Sequence, residues 1–534
     1  MEDSCKDCVY TTCARLHSYV PKECKLSDGK PCQECVEMAK LDSQISQVHS
    51  QLVQLTHKRH FLKTKINQRH EPFIHRLPCS VSSQIFEDYV HQVHSDFDPK
   101  EASDSTHTRD WSPALFLSSI CMTWRKIAFA TSEIWRFINI PLREDNPDED
   151  LKIELLDEYV ERSRQRTLFI GVFQFQMYEN PSFSQLEKKL DKLEFLFQAI
   201  KKIACRSEEI TLWGLPSLAL QHIIPTDTPN LTMVRIAEYV KEFEDMNGPV
   251  GWNNGDVSLA GPLLKILDFG YGTESLLDYC KFEWDTITTV TMSALNVEEG
   301  IDILREALCL TSCSFIFADF EEINPVHPPI VNSTLEKLHV DFSNCRQDFV
   351  PVETFANSIA LPSLRELSLL SSNLLYMMPL FQRSRCQIRR LSLTLYQNIP
   401  EDHVLMLLSI LPSVEHFALE TSITFPKSII TNKFFEGLRD HHFKRSGAST
   451  DWLLPKLTSL SYTGKKDFTW PAFLKMFPPP GNVLVTGRPL SEVSLKLYLP
   501  KAVIGDHDVI AKLREIQQSK IKLVVMNLDG KDLL

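Results

Sequence analysis

Residues 361–370, LPSLRELSLL, carry the pattern that decides the fold of most of this chain. Leu364, Leu367 and Leu369 occupy the first, fourth and sixth positions of a six-residue apolar unit. Alternation of apolar and polar residues at the end of such a unit is typical of a strand with one buried face. The same spacing recurs after a similar Leu-Pro lead at 411–420, LPSVEHFALE, and at 454–463, LPKLTSLSYT.

Further copies of this apolar unit extend over residues 231–495, most of them 22 to 33 residues apart. The copies are Leu231/Val234/Ile236, Leu264/Leu267/Phe269, Ile287/Val290/Met292, Leu335/Leu338/Val340, Leu364/Leu367/Leu369, Ile388/Leu391/Leu393, Val414/Phe417/Leu419, Leu457/Leu460/Tyr462 and Leu490/Val493/Leu495. Cys313/Ile316/Ala318 is read as a weaker copy and Ser207/Ile210/Leu212 as an earlier one. One copy means little in a leucine-rich chain, but nine at such regular spacing indicate a structural repeat.

Amphipathic stretches, such as 297–310 and 401–411, lie between the copies and predict helices. Helix and strand in alternation predict parallel strands with the helices on the outer side. A single repeat cannot bury its own apolar face, so stacked neighbours must share one core. The predicted fold class is therefore α/β, with an irregular leucine-rich-repeat solenoid over residues 151–534.

In a solenoid of this kind, the strand positions between the core residues face outward and form a binding surface. We predict that this surface binds a target protein, although each position taken alone is also explained as an ordinary solvated side chain. The predicted target-binding residues are Lys337, His339, Glu366, Ser368, Arg390, Ser392 and His416, with Ser459 and Ser461 continuing the series.

A second pattern lies upstream, in 73–90, FIHRLPCSVSSQIFEDYV, and 117–135, LSSICMTWRKIAFATSEIW. The Leu77-Pro78 step predicts a helix entry, because proline is tolerated in the first turn. Apolar residues at helical spacing follow it, and a second amphipathic run ends near Trp135.

These two segments resemble the F-box, with its leucine-proline entry, its Ile-Phe helix and its segment of the form V-C-R-x-W-R-x-I-A. Residues 120–128, ICMTWRKIA, carry most of that resemblance. The chain as a whole resembles the F-box proteins with degenerate leucine-rich repeats that are numerous in mushroom-forming fungi. It departs from the family at Cys79-Ser80, where an acidic step is usual, and in the long polar insert at 95–109.

The resemblance implies a non-catalytic substrate-recognition subunit of a cullin-type (Skp–cullin–F-box) ubiquitin ligase. The F-box would dock onto a Skp-type adaptor, and through it onto a cullin, while the repeats bind an unknown target protein. The residues implied in adaptor binding are Leu77, Pro78, Ile85, Phe86, Trp124, Ile127 and Trp135. Some of them are also expected to pack the core of a three-helix module. The alternative is a leucine-rich-repeat scaffold that takes no part in ubiquitin transfer.

The predicted organisation has five parts. A Cys-rich head spans 1–36, a coiled-coil-like helix 37–70, the F-box domain 71–142, an acidic linker 143–150 and the repeats 151–534. The linker is assigned from REDNPDED, which is charged, contains a proline and lacks any apolar residue.

Six of the 14 cysteines lie in the first 35 residues. Cys5 with Cys8 and Cys32 with Cys35 form two CxxC pairs, which could supply four thiolates to one structural zinc. The competing interpretation is a disordered tail whose thiols are incidental.

Residues 38–66 repeat an apolar side chain at alternating steps of four and three, with Arg59 filling the one gap. This heptad seam predicts either a short coiled coil that makes a homodimer or an amphipathic helix that folds back on the F-box.

Composition limits the remaining function classes. A net charge of −12 argues against a general nucleic-acid binder. A zinc-knuckle regulator of transcription would use the cysteine head and the coiled coil, and the run from Lys58 to Arg69 is the basic stretch that could support it. A solvated helix face also explains that run. We expect no membrane span, no secretory signal and a location in the cytosol or nucleus, where thiols stay reduced. The sequence contains neither a phosphate-binding loop nor an H-E-x-x-H pair, and we predict that the protein is not an enzyme.

Overall fold

A computed structural model describes residues 33–69, 77–95, 112–142, 149–174, 193–215, 222–224, 228–237, 257–259, 261–270, 277, 280–318, 328–345, 350–371, 373–396, 399–422, 429–439, 453–477, 489–498, 507–518, 521–527 and 530–533. The chain divides into two compact units. Unit 1 comprises residues 1–85 and 119–127, and unit 2 comprises 86–118 and 128–534.

The described residues form 13 α-helices. These are α1 (Gln33–Arg69), α2 (Cys79–Ser95), α3 (Pro113–Ile120), α4 (Met122–Ala130), α5 (Glu149–Ser163), α6 (Glu194–Ala204), α7 (Val297–Glu306), α8 (Val350–Ser358), α9 (Met378–Ser384), α10 (Glu401–Ser409), α11 (Asn432–Arg439), α12 (Trp470–Leu474) and α13 (His507–Gln518). Short 3₁₀ turns occupy Ser132–Trp135, Trp284–Thr286 and Leu374–Met377.

The strands are β1 (Phe137–Leu142), β2 (Leu168–Gln174), β3 (Ser207–Trp213), β4 (Met233–Ala237), β5 (Val257–Leu259), β6 (Ile266–Phe269), β7 (Cys280–Phe282), β8 (Thr289–Leu295), β9 (Ser312–Ala318), β10 (Ile330–Val331), β11 (Lys337–Asn344), β12 (Ile359–Ala360), β13 (Glu366–Leu370), β14 (Arg390–Leu395), β15 (His416–Thr421), β16 (Ser459–Lys465), β17 (Glu492–Tyr498) and β18 (Lys522–Asn527). Fourteen of them make one sheet, whose order is β1-β2-β3-β4-β6-β8-β9-β11-β13-β14-β15-β16-β17-β18.

Every strand pair in this sheet is parallel, and each long strand lies beside the next long strand in the chain. Parallel neighbours need a crossover connection, and helices supply it in many of the repeats. The sheet does not close on itself, because its order begins at β1 and ends at β18. The predicted α/β class with parallel strands is therefore confirmed, and unit 2 contains a solenoid-like α/β fold.

The apolar unit marks the core. Its second position is paired strand to strand, and every member is buried: Leu338, Leu367, Leu391, Phe417, Leu460, Val493 and Leu523. Its third position forms a parallel buried ladder: Val340, Leu369, Leu393, Leu419, Tyr462, Leu495 and Val525. Burial of a whole aliphatic side chain is worth about 1.5–3 kcal/mol, so the two ladders are a main source of stability.

The weak copy at β9 was predicted in the wrong register. Cys313 and Phe315 pair with Val290 and Met292 of β8 and are buried, whereas Ile316 lies on the opposite face. The opposite face of β9 starts with Ser312 and Ser314 but also carries Ile316 and Ala318, and these two apolar residues fitted the repeat in the wrong register.

The boundary of the sheet also differs from the prediction. Strand β1 (Phe137–Leu142) pairs in parallel with β2, although the sequence placed residues 71–142 in the helical module. Its sequence, FINIPL, lacks the spacing of the later copies. Helix α5 then begins at Glu149, inside the predicted acidic linker, whose residues 143–148 lie outside the described part of the chain.

Helix α7 illustrates how a crossover is built. Asn296 accepts a 2.8 Å hydrogen bond from the backbone N–H of Glu299, and the Glu299 carboxylate accepts one of 2.8 Å from the N–H of Asn296. This reciprocal cap begins the helix. Gly300 then lets the helix approach the sheet, because a Cβ at that position would lie 2.8 Å from the ring of Phe317.

Asn332 joins the end of α7 to the turn before β11. Its side-chain amide donates to the carbonyls of Leu304 (3.1 Å) and Ala307 (3.2 Å). Its side-chain oxygen accepts from the backbone N–H groups of Thr334 and Leu335. The side chain is buried, so these four bonds pair its own polar atoms and satisfy the buried carbonyls at the end of α7.

We expect Asn332→Ala to lower the free energy of unfolding by about 2 kcal/mol or more, because it leaves buried carbonyls without donors. Urea unfolding followed by circular dichroism measures the change. Asn344→Ala, at an exposed asparagine of the same repeat, is the control and should stay within about 0.5 kcal/mol of the native chain. Equal effects of the two substitutions would contradict the role given to Asn332.

Within the described residues, none of the helices is at once long enough and apolar enough to cross a membrane.

Candidate functional site

The exposed face of the sheet in unit 2 carries two rows of side chains that run across the strands. The first, called here the charged row, comes from the first residue of successive strands. Its members, in register, are Lys337, Glu366, Arg390, His416, Ser459, Glu492 and Lys522. In-register parallel pairing holds neighbouring members about 4.8 Å apart at the backbone, so their side chains can interact.

Ion pairs connect much of this row. Glu366 lies between two cations, with Lys337 Nζ 3.6 Å from Oε2 and Arg390 Nη1 3.9 Å from Oε1. Lys522 Nζ lies 2.7 Å from Glu492 Oε1 and lowers the pKa of that carboxyl group. Exposed pairs of this kind contribute about 0–1 kcal/mol each to the free energy of unfolding. A ligand can therefore replace one partner of a pair with little loss of stability.

The second row, called here the small row, comes from the residue two positions later in each strand. Its members are Ser314, His339, Ser368, Ser392, Ala418, Ser461 and Ser494. Six of these seven side chains are serine or alanine, and a shallow depression follows from their small size. A cavity of about 400 Å³ lies over the strands from β9 to β16 and is lined by both rows.

His339 is the one large side chain of the small row. Its partial burial lowers the pKa of the imidazole, an effect that the nearby Asp341 carboxylate opposes. The ring is therefore mainly neutral at pH 7 and can both donate and accept a hydrogen bond. With the serine hydroxyls beside it, His339 places hydrogen-bonding groups in a depression whose exposed lining is mostly carbon.

The structure brings all seven predicted target-binding residues to this one cavity: Lys337, His339, Glu366, Ser368, Arg390, Ser392 and His416. It also adds Ser312 and Ser314, which the register error at β9 had hidden. Two further ion pairs border the charged row, Arg365–Glu336 at 3.8 Å and Arg389–Glu415 at 4.0 Å. Each of these four residues stands immediately before a strand. A charged residue recurring at that position is the sequence signal that could have identified them as part of the surface.

The residues implied in adaptor binding divide by burial. Pro78 and Ile85 are exposed, and Leu77 and Trp124 are half-buried. Phe86, Ile127 and Trp135 are buried. These three side chains pack inside the chain, as was expected of some members of the set, and the exposed members are the ones that solvent and a partner can reach.

Trp135 packs in the core of unit 2. Its Nε1–H donates to the carbonyl of Ala128 at 2.8 Å, and its ring lies 5.0 Å from that of Tyr159. The guanidinium of Arg162 covers both Trp135 and Phe129. Sequence spacing alone could not separate this buried role from an interface role, because both select a large aromatic side chain.

The Leu77-Pro78 step does begin a helix. The Pro78 carbonyl accepts from the N–H groups of Val81 (3.0 Å) and Ser82 (3.1 Å), and α2 starts at Cys79. Val81 and Ile85, one turn apart, are both more than 40% exposed. Ile120 and Met122 of the same unit are exposed as well. Unit 1 thus presents several large apolar side chains to solvent.

The predicted zinc ligands Cys5, Cys8 and Cys32 lie outside the described residues, and the side chain of Cys35 does too. The zinc site therefore stays a prediction. Among the residues that the structure describes, no cluster of His, Cys, Asp and Glu could hold a metal ion.

A smaller cavity, of about 40 Å³, lies at the first strands of the sheet and was not predicted. His94 enters it from α2, and its ring lies 4.6 Å from Phe137 and 5.4 Å from Phe169. Glu209 and Arg235 line the cavity with it. Burial lowers the pKa of His94, and the neighbouring Glu209 opposes that shift.

Because its folded-state pKa is lowered, His94 binds a proton less readily in the folded chain than in the unfolded chain. Its contribution to stability is present above the ordinary pKa of 6.5 and is lost as pH falls through the folded-state value. We expect the thermal midpoint of the native chain to fall more steeply from pH 7.5 to 5.5 than that of His94→Gln. Parallel curves for the two proteins would contradict this assignment.

No protein-family model matches this chain, and a search of curated proteins finds no match either.

Proposed function

We propose that this protein is a non-catalytic substrate-recognition subunit of a cullin-type ubiquitin ligase. The observation that carries the proposal is the presence, in one chain, of two unlike surfaces suited to two partners. Unit 1 offers exposed apolar side chains on a helix that follows Leu77-Pro78. Unit 2 offers the long polar face made by the charged row and the small row.

The apolar surface suits a constant partner, which we take to be a Skp-type adaptor. Interface energy concentrates in a few side chains that become fully buried in the complex. Val81 and Ile85 fit that description, because they are apolar, exposed in the free chain and one helical turn apart. The half-buried Leu77 and the exposed Pro78 lie at the start of the same helix.

The polar face suits a target protein. Its serine hydroxyls, the imidazole of His339 and the ion pairs around Glu366 provide donors and acceptors along several strands. Such a surface favours recognition through hydrogen bonds and charge pairs, which give specificity more than raw affinity. Other subunits of the ligase would carry out ubiquitin transfer.

The adaptor surface is tested by Val81→Asp/Ile85→Asp. Both side chains are exposed, so the variant should fold, while two buried carboxylates would weaken adaptor binding by about 30-fold or more. The control is Gln92→Asp/Ser95→Asp, which adds the same charge at exposed polar positions near the other end of α2. Binding to a purified Skp-type adaptor is measured by calorimetry, with cullin recruitment followed by co-purification.

If the native chain and the control bind the adaptor and recruit a cullin while the Asp variant does not, the ligase proposal is supported. Should the folded native chain fail to bind any Skp-type adaptor, the proposal is wrong. The protein would then be better described as a leucine-rich-repeat scaffold.

The target surface is tested by Ser368→Arg/Ser392→Arg, which fills the depression above β13 and β14. The control, Ser333→Arg/Ser409→Arg, adds the same side chains at exposed positions elsewhere in unit 2. We expect the first variant to keep its affinity for the adaptor but to fail to bind targets. The cellular proteins whose degradation it slows should then be the same ones that the Val81→Asp/Ile85→Asp variant protects. Quantitative turnover proteomics provides the measurement. Disjoint sets of stabilised proteins would contradict the assignment of this face.

A further inference from the structure

Helix α1 carries an apolar seam that the rest of the described chain does not cover. The seam residues are Met38, Leu41, Ile45, Val48, Leu52, Leu55, Leu62 and Ile66, and each is between 47% and 64% exposed. The structure therefore does not show the helix folded back on the F-box segment. Eight large apolar side chains on one stripe exceed what a solvated helix normally exposes, and such a stripe marks an interaction surface.

The seam has the geometry of a coiled coil. Met38, Ile45, Leu52, Arg59 and Ile66 occupy the a positions of successive heptads. Leu41, Val48, Leu55 and Leu62 occupy the d positions. The stripe is about 42 Å long at 1.5 Å per residue, which gives four heptads of knobs-into-holes packing. A second helix of matching length and pattern is the partner that such a seam accepts.

The charges of α1 indicate what that second helix is. Residues 33–50 carry three acidic side chains and one basic one, whereas residues 51–69 carry five basic side chains and no acidic one. A parallel copy would place two basic halves side by side. An antiparallel copy places the basic half of each helix against the acidic half of the other, and it also opposes the two helix dipoles.

Arg59, the one interruption of the seam, points to the same arrangement. In a parallel pair, two Arg59 side chains would face each other across the interface. In an antiparallel pair centred near Ser50, Arg59 lies opposite Leu41 of the second copy, between its Glu37 and Asp42. The buried cation then has two carboxylates within reach, which compensates for its desolvation.

We infer that α1 pairs with α1 of a second copy of this chain as an antiparallel coiled coil. Met38, Ile45 and Leu52 pack against Leu62, Leu55 and Val48 of the second copy. The symmetry of the pair repeats each layer. Four apolar layers therefore lie at the centre, one Arg59–Leu41 layer lies on either side of them, and a Met38–Leu62 layer closes each end. This dimer is independent of adaptor binding and would exist whether or not the proposed ligase function is correct.

The first test is the mass of the full-length protein in solution. Light scattering after size-exclusion chromatography should give twice the chain mass of 61.4 kDa for the native chain and the chain mass for Leu52→Asp/Leu55→Asp. The control, Ser50→Asp/Gln54→Asp, adds equal charge on the same helix off the seam and should remain a dimer. A native monomer across the concentration series, or a dimeric seam variant, would overturn the inference.

The second test is the orientation of the helices. A photo-crosslinking amino acid in place of Gln44 should label the second copy near Lys58, whereas a parallel pair would label it near His49. Arg59→Glu should weaken dimerisation by about tenfold, and adding Glu37→Lys and Asp42→Lys should restore it. A dimer that crosslinks near His49 and shows no such rescue would falsify the antiparallel arrangement.

Discussion

Backbone pairing between in-register parallel strands is the constraint on which the rest of unit 2 depends. Each strand satisfies its N–H and C=O groups on the strands before and after it, so no repeat is complete alone. The same pairing aligns Leu367, Leu391 and Phe417 into a buried ladder. Parallel pairing also forces a crossover between strands, and the polar groups of those crossovers need partners of their own. Asn332 supplies four such bonds at a single buried turn.

The binding surface is a consequence of that constraint rather than an addition to it. When alternate strand residues are buried, the residues between them are turned to the opposite face. Register then converts a sequence repeat into rows, with Glu366 beside Arg390 and Ser368 beside Ser392. The face is open because the side chains of the small row are short. The charged row borders it, and the ion pairs within that row contribute little to stability. A surface assembled in this way can change its specificity by changing single residues without disturbing the core.

Much of the fold could be predicted from the sequence, and the parts that could not be predicted were missed for different physical reasons. The nine apolar copies lie on strands of the sheet or lead directly into them, because the spacing of buried positions is a local property of the backbone. The copy at β9 failed because apolar residues occur on both faces, and only pairing with β8 selects one. Strand β1 was missed because it lacks the repeat pattern and becomes a strand through its neighbour β2. The burial of Phe86 and Trp135 could not be predicted, because a large apolar residue suits a core and an interface equally well.

The sequence by itself determined which residues of the regular copies line the core, with β9 the exception, and that residues 38–66 form a helix with an apolar stripe. Both follow from periodicity along a short segment, which the chain imposes without help from distant residues. The parallel direction of the strands followed from the alternation of helix and strand along the chain. Only the tertiary structure decided which apolar side chains of the F-box-like segments stay exposed, that seven scattered polar residues line one cavity, and that the stripe of α1 is not covered by the described residues. Exposure and proximity depend on what other parts of the chain pack against a residue, and no local pattern contains that information.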